Sequence, residues 1–414
     1  MHNDNENPSK KLILQAELQE AKRIENYLRA EVTDLWIHIN GLNNLPFFKS
    51  YIRISSKVQK LIRKNKKSLK KTSDYEDFVS DKKLNISYTD LDIIFVLPTD
   101  KIEIGGTQTT IKLVREITNK HKNVKCLALQ HDPTSSENEY FIRQDQLDPK
   151  SNIKVIIACG AETVNKVEEL SAKFKSKSVL LMLGADHYFT PKWIDSKNFT
   201  RAIKNFDFVI ALSPFLEKLA KYWGSKNIVC AKLGPDLNLF PLNEKLREKL
   251  IVVSCRTSIE KGLRVLLPQI PIIQSLGWKV IGFGDLPDNE MAGEFDDFLG
   301  RIDAPQLSEL FSRAKILLDP SWMEGLGLVA LEAASSGCIP IITKRKDYQG
   351  IFKENLLPYV EIDNFLDPEL VLDAIAKSEA NFDSKTIIKS MNNLDWDAGS
   401  RVAQEFLLEL LNSN

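Results

Sequence analysis

Asp319-Pro-Ser-Trp-Met-Glu-Gly-Leu-Gly-Leu-Val-Ala-Leu-Glu-Ala-Ala-Ser-Ser-Gly-Cys-Ile-Pro340 is the stretch whose reading decides the fold. The apolar run Ile316 to Leu318 just before it reads as a buried strand, and Leu328 to Ala334 reads as the start of a helix. Gly325 and Gly327 lie between them and let a ligand approach the backbone closely. The first N–H groups of a helix have no partner within the helix, so a strand, a glycine turn and a helix start make a seat for phosphate. Glu324 and Glu332 lie eight positions apart across this turn. Carboxylates do not bind phosphate but do accept from hydroxyls, so the ligand implied is a phosphate joined to sugars.

Working outward, short apolar runs alternate with polar-faced helical segments from about residue 88. Asp92–Leu97, Val124–Gln130, Ile153–Ala158, Val179–Leu183 and Phe208–Leu212 form a first series. After Pro241 the pattern restarts with Leu250–Ser254, Trp278–Phe283, Ile316–Leu318 and Cys338–Thr343. Such alternation means parallel sheets covered on both faces, an α/β protein of two doubly wound domains. The expected boundaries are a first domain over 76–245, a second over 246–392, and a closing helical segment over 393–414 that packs back toward the first domain. Ligands of these sheets bind beyond the C-terminal strand ends, so a two-domain chain would hold its ligand in a central cleft.

Residues 1–75 differ from the rest. Leu14, Leu18, Ala21, Leu28, Val32 and Leu35 recur at helical spacing among charged residues, which predicts an amphipathic helix ended by Asn40-Gly41 and Pro46. Lys49 to Lys71 holds ten basic residues and no acidic one, with Ile52, Ile54, Val58, Leu61, Ile62 and Leu69 interspersed. A basic, partly apolar helix of this kind can lie on an anionic membrane surface; a solvated helix packed on the body or on a second copy of the chain is the alternative. The 414 residues carry 56 lysines and arginines against 56 aspartates and glutamates, a balance that points away from nucleic acid. Cys126, Cys159, Cys230, Cys255 and Cys338 are scattered without C-x-x-C spacing, as expected of reduced thiols in a cytoplasmic protein. Neither a signal pattern nor a long uncharged apolar run is present, so secretion by the usual route and a membrane span are not expected, and the sequons at Asn85 and Asn198 read as accidental.

Arg256-Thr-Ser-Ile-Glu-Lys261-Gly262 follows the first strand of the second series and places two cations five positions apart at a strand-to-helix corner. Two fixed positive charges opposite a helix start would grip a diphosphate and stabilise the charge that grows on it as it departs. With these residues in view, the chain resembles the retaining glycosyltransferases of family 4, which have the GT-B fold. The family's arginine and lysine are matched by Arg256 and Lys261, its E-x7-E element by Glu324 and Glu332, and its proline–serine–glutamate–glycine run by Pro320-Ser-Trp-Met-Glu-Gly-Leu-Gly327. Lys232 to Phe240 resembles the family's linker, Gly300-Arg301 the approach to the glutamate element, and Trp396 the tryptophan that opens the last helix. The resemblance covers roughly residues 90–412.

That resemblance implies roles. Arg256 and Lys261 would hold the donor diphosphate. Glu324 would hydrogen-bond the donor sugar, aided by amides of Gly325, Leu326, Gly327 and Leu328, and Glu332 would bind the ribose. Gly282, Gly284 and Arg301 would lie near the base. In the first domain, Gly105 and Gly106 resemble the glycine loop near the transferred sugar. Asp186 and His187 stand where the family has a histidine that meets the sugar, with His131 as the other candidate. Asp90-Leu-Asp92 and Asp395-Trp-Asp397 have the spacing of metal-binding transferases, but the first precedes a strand and the second opens a helix, so no required metal and no cofactor are expected. The activity implied is transfer of a sugar from a nucleotide diphosphate sugar to a glycan or glycolipid acceptor on the cytoplasmic face of a membrane. Some bacterial surface-polysaccharide enzymes with this kind of leading segment transfer rhamnose from a dTDP donor.

Overall fold

The computed structural model describes residues 91–412, apart from 101–104, 131–138, 185–192, 244–245, 258–260, 287–288, 323, 345–350, 353–356, 380–383 and 392–393. The segment 1–75, its basic stretch 49–71, His131, Asp186 and His187 lie outside the described residues.

Among the described residues the first series forms a seven-stranded sheet. Its strands are β1 (Ile93–Thr99), β2 (Val124–Gln130), β3 (Phe141–Ile142), β4 (Val155–Ala158), β5 (Lys177–Met182), β6 (Phe208–Ala211) and β7 (Ile228–Cys230), in the order β3-β2-β1-β4-β5-β6-β7. Every pairing is parallel. The second series forms a six-stranded sheet of β8 (Glu248–Cys255), β9 (Lys279–Gly284), β10 (Asp297–Phe298), β11 (Ala314–Asp319), β12 (Ile339–Thr343) and β13 (Val360–Ile362), again all parallel, in the order β10-β9-β8-β11-β12-β13. In both sheets the winding reverses beside the first strand, between β1 and β4 and between β8 and β11. Central strands such as Ile93–Phe95 and Leu250–Val253 are buried residue after residue, as strands covered on both faces must be.

Four helices matter for the site: α1 (Gly105–Thr118), α2 (Ala304–Arg313), α3 (Leu328–Ser335) and α4 (Trp396–Asn412). α2 starts where Asp303 accepts from the Gln306 amide at 2.9 Å and the Gln306 side chain accepts from the Asp303 amide at 3.0 Å. This reciprocal cap satisfies two orphan donors and is worth about 1 kcal/mol. Arg247, at the head of the second domain, donates from Nη1 to the carbonyls of Phe311 and Ala314, both at 2.7 Å, and from Nη2 to those of Asn243 and Ser336. One guanidinium thereby ties the linker to the C-terminal ends of α2 and α3.

The last helix lies against the first domain. Trp396, Ala403, Leu407 and Leu410 are buried, and Phe406 meets Phe208 edge-on with ring centroids 5.4 Å apart. Lys177 of β5 donates to the Leu410 carbonyl at 3.0 Å. Asp395 caps the helix by accepting from the Ala398 amide at 2.5 Å, the role its position predicts. Asp92 is likewise structural, held by His121, Asn123 and Lys154 at the foot of β1. Asn198 is buried and accepts from Arg201 at 3.1 Å, so the folded chain does not present it as a glycosylation acceptor. All five cysteines are free.

Candidate active site

At the reversal of the second sheet, β8 and β11 end side by side, and the chain beyond each turns outward. β8 delivers Ser254 and Arg256, and β11 delivers Asp319 and then the Pro320–Gly327 turn. These residues line a cavity of about 360 Å³ with Lys261, Asp285, Arg301, Glu324, Gly325, Leu326, Gly327, Leu328 and Val329 from the second domain. The opposite wall comes from the first domain, through Gly106 and Thr109 of α1, Leu183 after β5 and Leu212 after β6.

Two ion pairs line the cavity. Lys261 Nζ donates to Glu324 Oε1 at 2.6 Å, with about a fifth of each side chain exposed (20 % and 22 %). Sequence reading gave these two groups separate tasks, phosphate for one and sugar hydroxyls for the other; the fold puts them in one ion pair. Arg301 forms a two-pronged bridge to Asp285, Nε to Oδ1 at 2.6 Å and Nη2 to Oδ2 at 2.9 Å, so its guanidinium plane is fixed at the cavity edge. Arg256 lines the cavity and is partly buried.

The glycine turn is where the two domains touch. A Cβ on Gly325 would stand 2.0 Å from the Leu183 carbonyl oxygen, so only glycine permits this approach. Ser213, which caps the helix after β6 by accepting from the Leu216 amide, also donates to the Gly325 carbonyl at 3.0 Å across the domain boundary. Gly327 takes φ +71° to turn the chain into α3, a conformation that disfavours other residues. The first helical residues, Leu328 and Val329, then face the cavity.

Glu332 lies one turn further along α3, beyond the residues that line the cavity. Burial pushes its carboxyl up to about 7, with the charges of Lys112 and Arg256 pulling down and that of Asp236 pushing up. It is thus a half-buried acid among charges from three elements rather than a fully solvated helical glutamate.

Gly282 and Gly284, expected near the base, also have a packing role. Neither is among the cavity-lining residues. A Cβ at 282 would press on the Phe298 ring at 2.8 Å, and one at 284 would stand 2.2 Å from the Cys255 carbonyl oxygen. Packing therefore fixes both as glycine. Gly105 opens α1 beside Gly106. Sequence reading did not single out Ser254, Asp285, Asp319, Thr109, Leu183 or Leu212. Position alone could have found most of them, since each lies at or just past a C-terminal strand end or in the first turn of the following helix.

Residues 248–366 match the sequence profile of the family described as "Glycosyl transferases group 1". Solved structures extend the likeness over both domains. Sucrose-phosphate synthase from Thermosynechococcus elongatus superposes with a TM-score of 0.63 at 16% identity, covering 78% of this chain and 100% of that one. Anabaena HepE, solved with UDP and glucose, gives 0.60 at 13% identity over 77% of this chain and 100% of its own. The fold is GT-B. The lipopolysaccharide outer core galactosyltransferase WaaB is similar too, with a TM-score of 0.57 at 13% identity, covering 77% of this chain and 99% of that one. No curated protein sequence matches the chain. The profile match spans β8 to β13, so it falls on the GT-B domain that carries Arg256, Lys261, Glu324 and Glu332.

Proposed function

We propose that this protein is a retaining glycosyltransferase of family 4 that moves a hexose-type residue from a nucleotide diphosphate sugar to a glycan or glycolipid acceptor. The observation that carries the reading is the Lys261–Glu324 pair at the winding reversal, beside Arg256 and the Gly325–Gly327 turn, in a cavity walled by both domains. A diphosphate entering there meets Lys261, Arg256 and the amides of α3. It competes for Lys261 and releases Glu324 to accept from sugar hydroxyls. Each bond to a charged partner is worth about 1.5–3 kcal/mol, enough to exchange the internal pair for the ligand.

In the transfer step the acceptor hydroxyl oxygen attacks the anomeric carbon as the bond from that carbon to the diphosphate oxygen breaks. The bonding electrons go to the diphosphate, and the acceptor proton passes to the departing oxygen. Attack on the face from which the diphosphate leaves retains the anomeric configuration. The cavity-lining carboxylates favour this route over a covalent intermediate. Among the described residues, Glu324 is taken up by sugar hydroxyls once the diphosphate claims Lys261, Asp285 is engaged by Arg301, and Asp319 is buried and accepts from the Ser321 amide at 3.2 Å. Arg256 and Lys261 supply the charge stabilisation for which other transferases use a metal. Asp186 and His187 would meet the sugar and the acceptor from the first domain.

HepE holds UDP and WaaB is a galactosyltransferase of lipopolysaccharide, which supports a nucleotide-linked donor and a surface-glycan setting. The basic stretch 49–71 fits a protein working at an anionic cytoplasmic membrane face, and no helix among the described residues is long and apolar enough to cross it. The test is release of nucleoside diphosphate when UDP-glucose, UDP-galactose or dTDP-rhamnose is mixed with an undecaprenyl-linked or lipopolysaccharide acceptor. Glu324→Ala is expected to cut turnover by about two to three orders of magnitude with the melting temperature little changed. Near-normal turnover in that variant would sink the assignment.

A further inference from the structure

β5 and β6 run side by side in the first sheet, with Met182 opposite Ala211. Leu183 and Leu212 therefore emerge together at the C-terminal strand ends, and both line the cavity. Ser213 comes next. It is fully buried, and the helix Pro214–Tyr222 begins directly after it. Its hydroxyl oxygen accepts from the Leu216 amide at 3.3 Å, as a helix-capping serine does. The hydroxyl has one proton, and that proton goes elsewhere. It is donated at 3.0 Å to the carbonyl of Gly325, 112 positions along the chain and in the other domain.

A helix cap needs only the oxygen, so the donated proton has a task of its own. In a planar trans peptide the carbonyl and the following N–H point opposite ways. Holding the Gly325 carbonyl thus fixes the plane of the Gly325–Leu326 peptide and the direction of the Leu326 amide. Glycine has the backbone freedom to turn such a plane when nothing holds it. Gly325 and Leu326 line the cavity, and Glu324, whose carboxylate pairs with Lys261, is joined directly to Gly325. The Leu183 carbonyl oxygen stands against the same glycine, so the turn is both braced and hydrogen-bonded by the first domain. Ser213 itself is not among the cavity-lining residues.

We propose that Ser213 is a positioning residue for transfer: from the first domain it sets the Gly325–Leu326 peptide plane and, through it, the carboxylate of Glu324 that meets the donor sugar. This rests on the donor-sugar role proposed for Glu324. Arg256 and Lys261 reach the diphosphate without Ser213, so its effect falls on turnover and not on nucleotide binding.

The experiment measures steady-state transfer by the full chain with whichever of UDP-glucose, UDP-galactose and dTDP-rhamnose the unaltered protein turns over. Calorimetric titration with UDP or dTDP, matching that donor, accompanies it. Ser213→Gly is the informative variant, because glycine is accepted at a helix cap but offers no hydroxyl. It is expected to lower kcat about tenfold, the loss of one buried hydrogen bond, while the donor KM and the nucleotide affinity stay within about twofold. Ser213→Thr, which keeps the hydroxyl, is expected to retain kcat. Should Ser213→Gly fail to fold, Ser213→Ala takes its place, with melting curves recording the lost cap separately. An unaltered kcat without the hydroxyl, or a kcat in Ser213→Thr as low as in Ser213→Gly, overturns the proposal. So does a loss of nucleotide affinity equal to the loss of kcat, which would make Ser213 a support of the whole cleft. If the unaltered protein binds neither nucleotide and turns over none of the three donors, the donor reading itself falls, a result seen before any residue is replaced.

Discussion

Lys261 and Glu324 neutralise each other in the cleft, and the exposed fifth of each side chain lets water take up whichever remains when the other is removed, so the loss falls on ligand binding. Lys261→Ala should therefore weaken nucleotide-sugar binding about ten- to a hundredfold by calorimetry, the loss of one charge-assisted hydrogen bond. Glu332 makes a separate prediction through its raised carboxyl. A group whose folded value exceeds its unfolded one adds stability below the unfolded value and loses it as the pH rises through the folded one. For Glu332 that window runs from the ordinary 4.5 to about 7. Glu332→Gln should thus leave the melting temperature unchanged near pH 4 and raise the stability at pH 8, by about 1–2 kcal/mol once its partial exposure is allowed for. Equal effects at the two pH values would show that burial does not raise this carboxyl. The individual acids and cations of the second domain were legible in the sequence because a short motif places them. Their partners were not, since Lys112 and Asp236 lie 124 positions apart and only the fold joins them.

At the scale of elements, long buried strands and the glycine turn could be read directly, because a run of five or more apolar residues between turn residues has few other uses. The edge strands β3, β7, β10 and β13 could not. They are two or three residues long, carry no period, and are recruited by the neighbouring strand rather than by their own composition. Gly282 and Gly284 show a related ambiguity, since a glycine demanded by a ring or a carbonyl looks in sequence like one demanded by a ligand. The turn at Gly325 combines both demands, and it can be tested alone. Gly325→Ala must displace the Leu183 carbonyl or part the domains, so it should destabilise by about 1–3 kcal/mol and reduce transfer more than nucleotide binding. Separate melting and binding curves would check this; unaltered transfer would mean that the Leu183 contact is not needed in the working state.

Taken whole, the chain closes on itself: it leaves the first domain at the linker, builds the second, and returns in α4 to cover the first. Trp396, Leu407 and Leu410 are buried there and Phe406 meets Phe208 edge-on, while Glu116 and Lys112 grip Trp396 from α1. Three large apolar side chains withdrawn from water contribute about 1.5–3 kcal/mol each, a sum comparable with the 5–15 kcal/mol that holds a typical domain folded. The last segment is therefore part of the first domain's core although it is last in sequence. Leu407→Ala should cost about 2–5 kcal/mol and lower the melting temperature while the chain remains folded. Ending the chain at residue 393 should expose the α1, β4 and β7 surface that α4 covers and yield aggregated protein, measurable as loss from the soluble fraction and by light scattering. A soluble, cooperatively melting truncation would mean that α4 is an appendage, and that Lys112 keeps its place without the Trp396 ring.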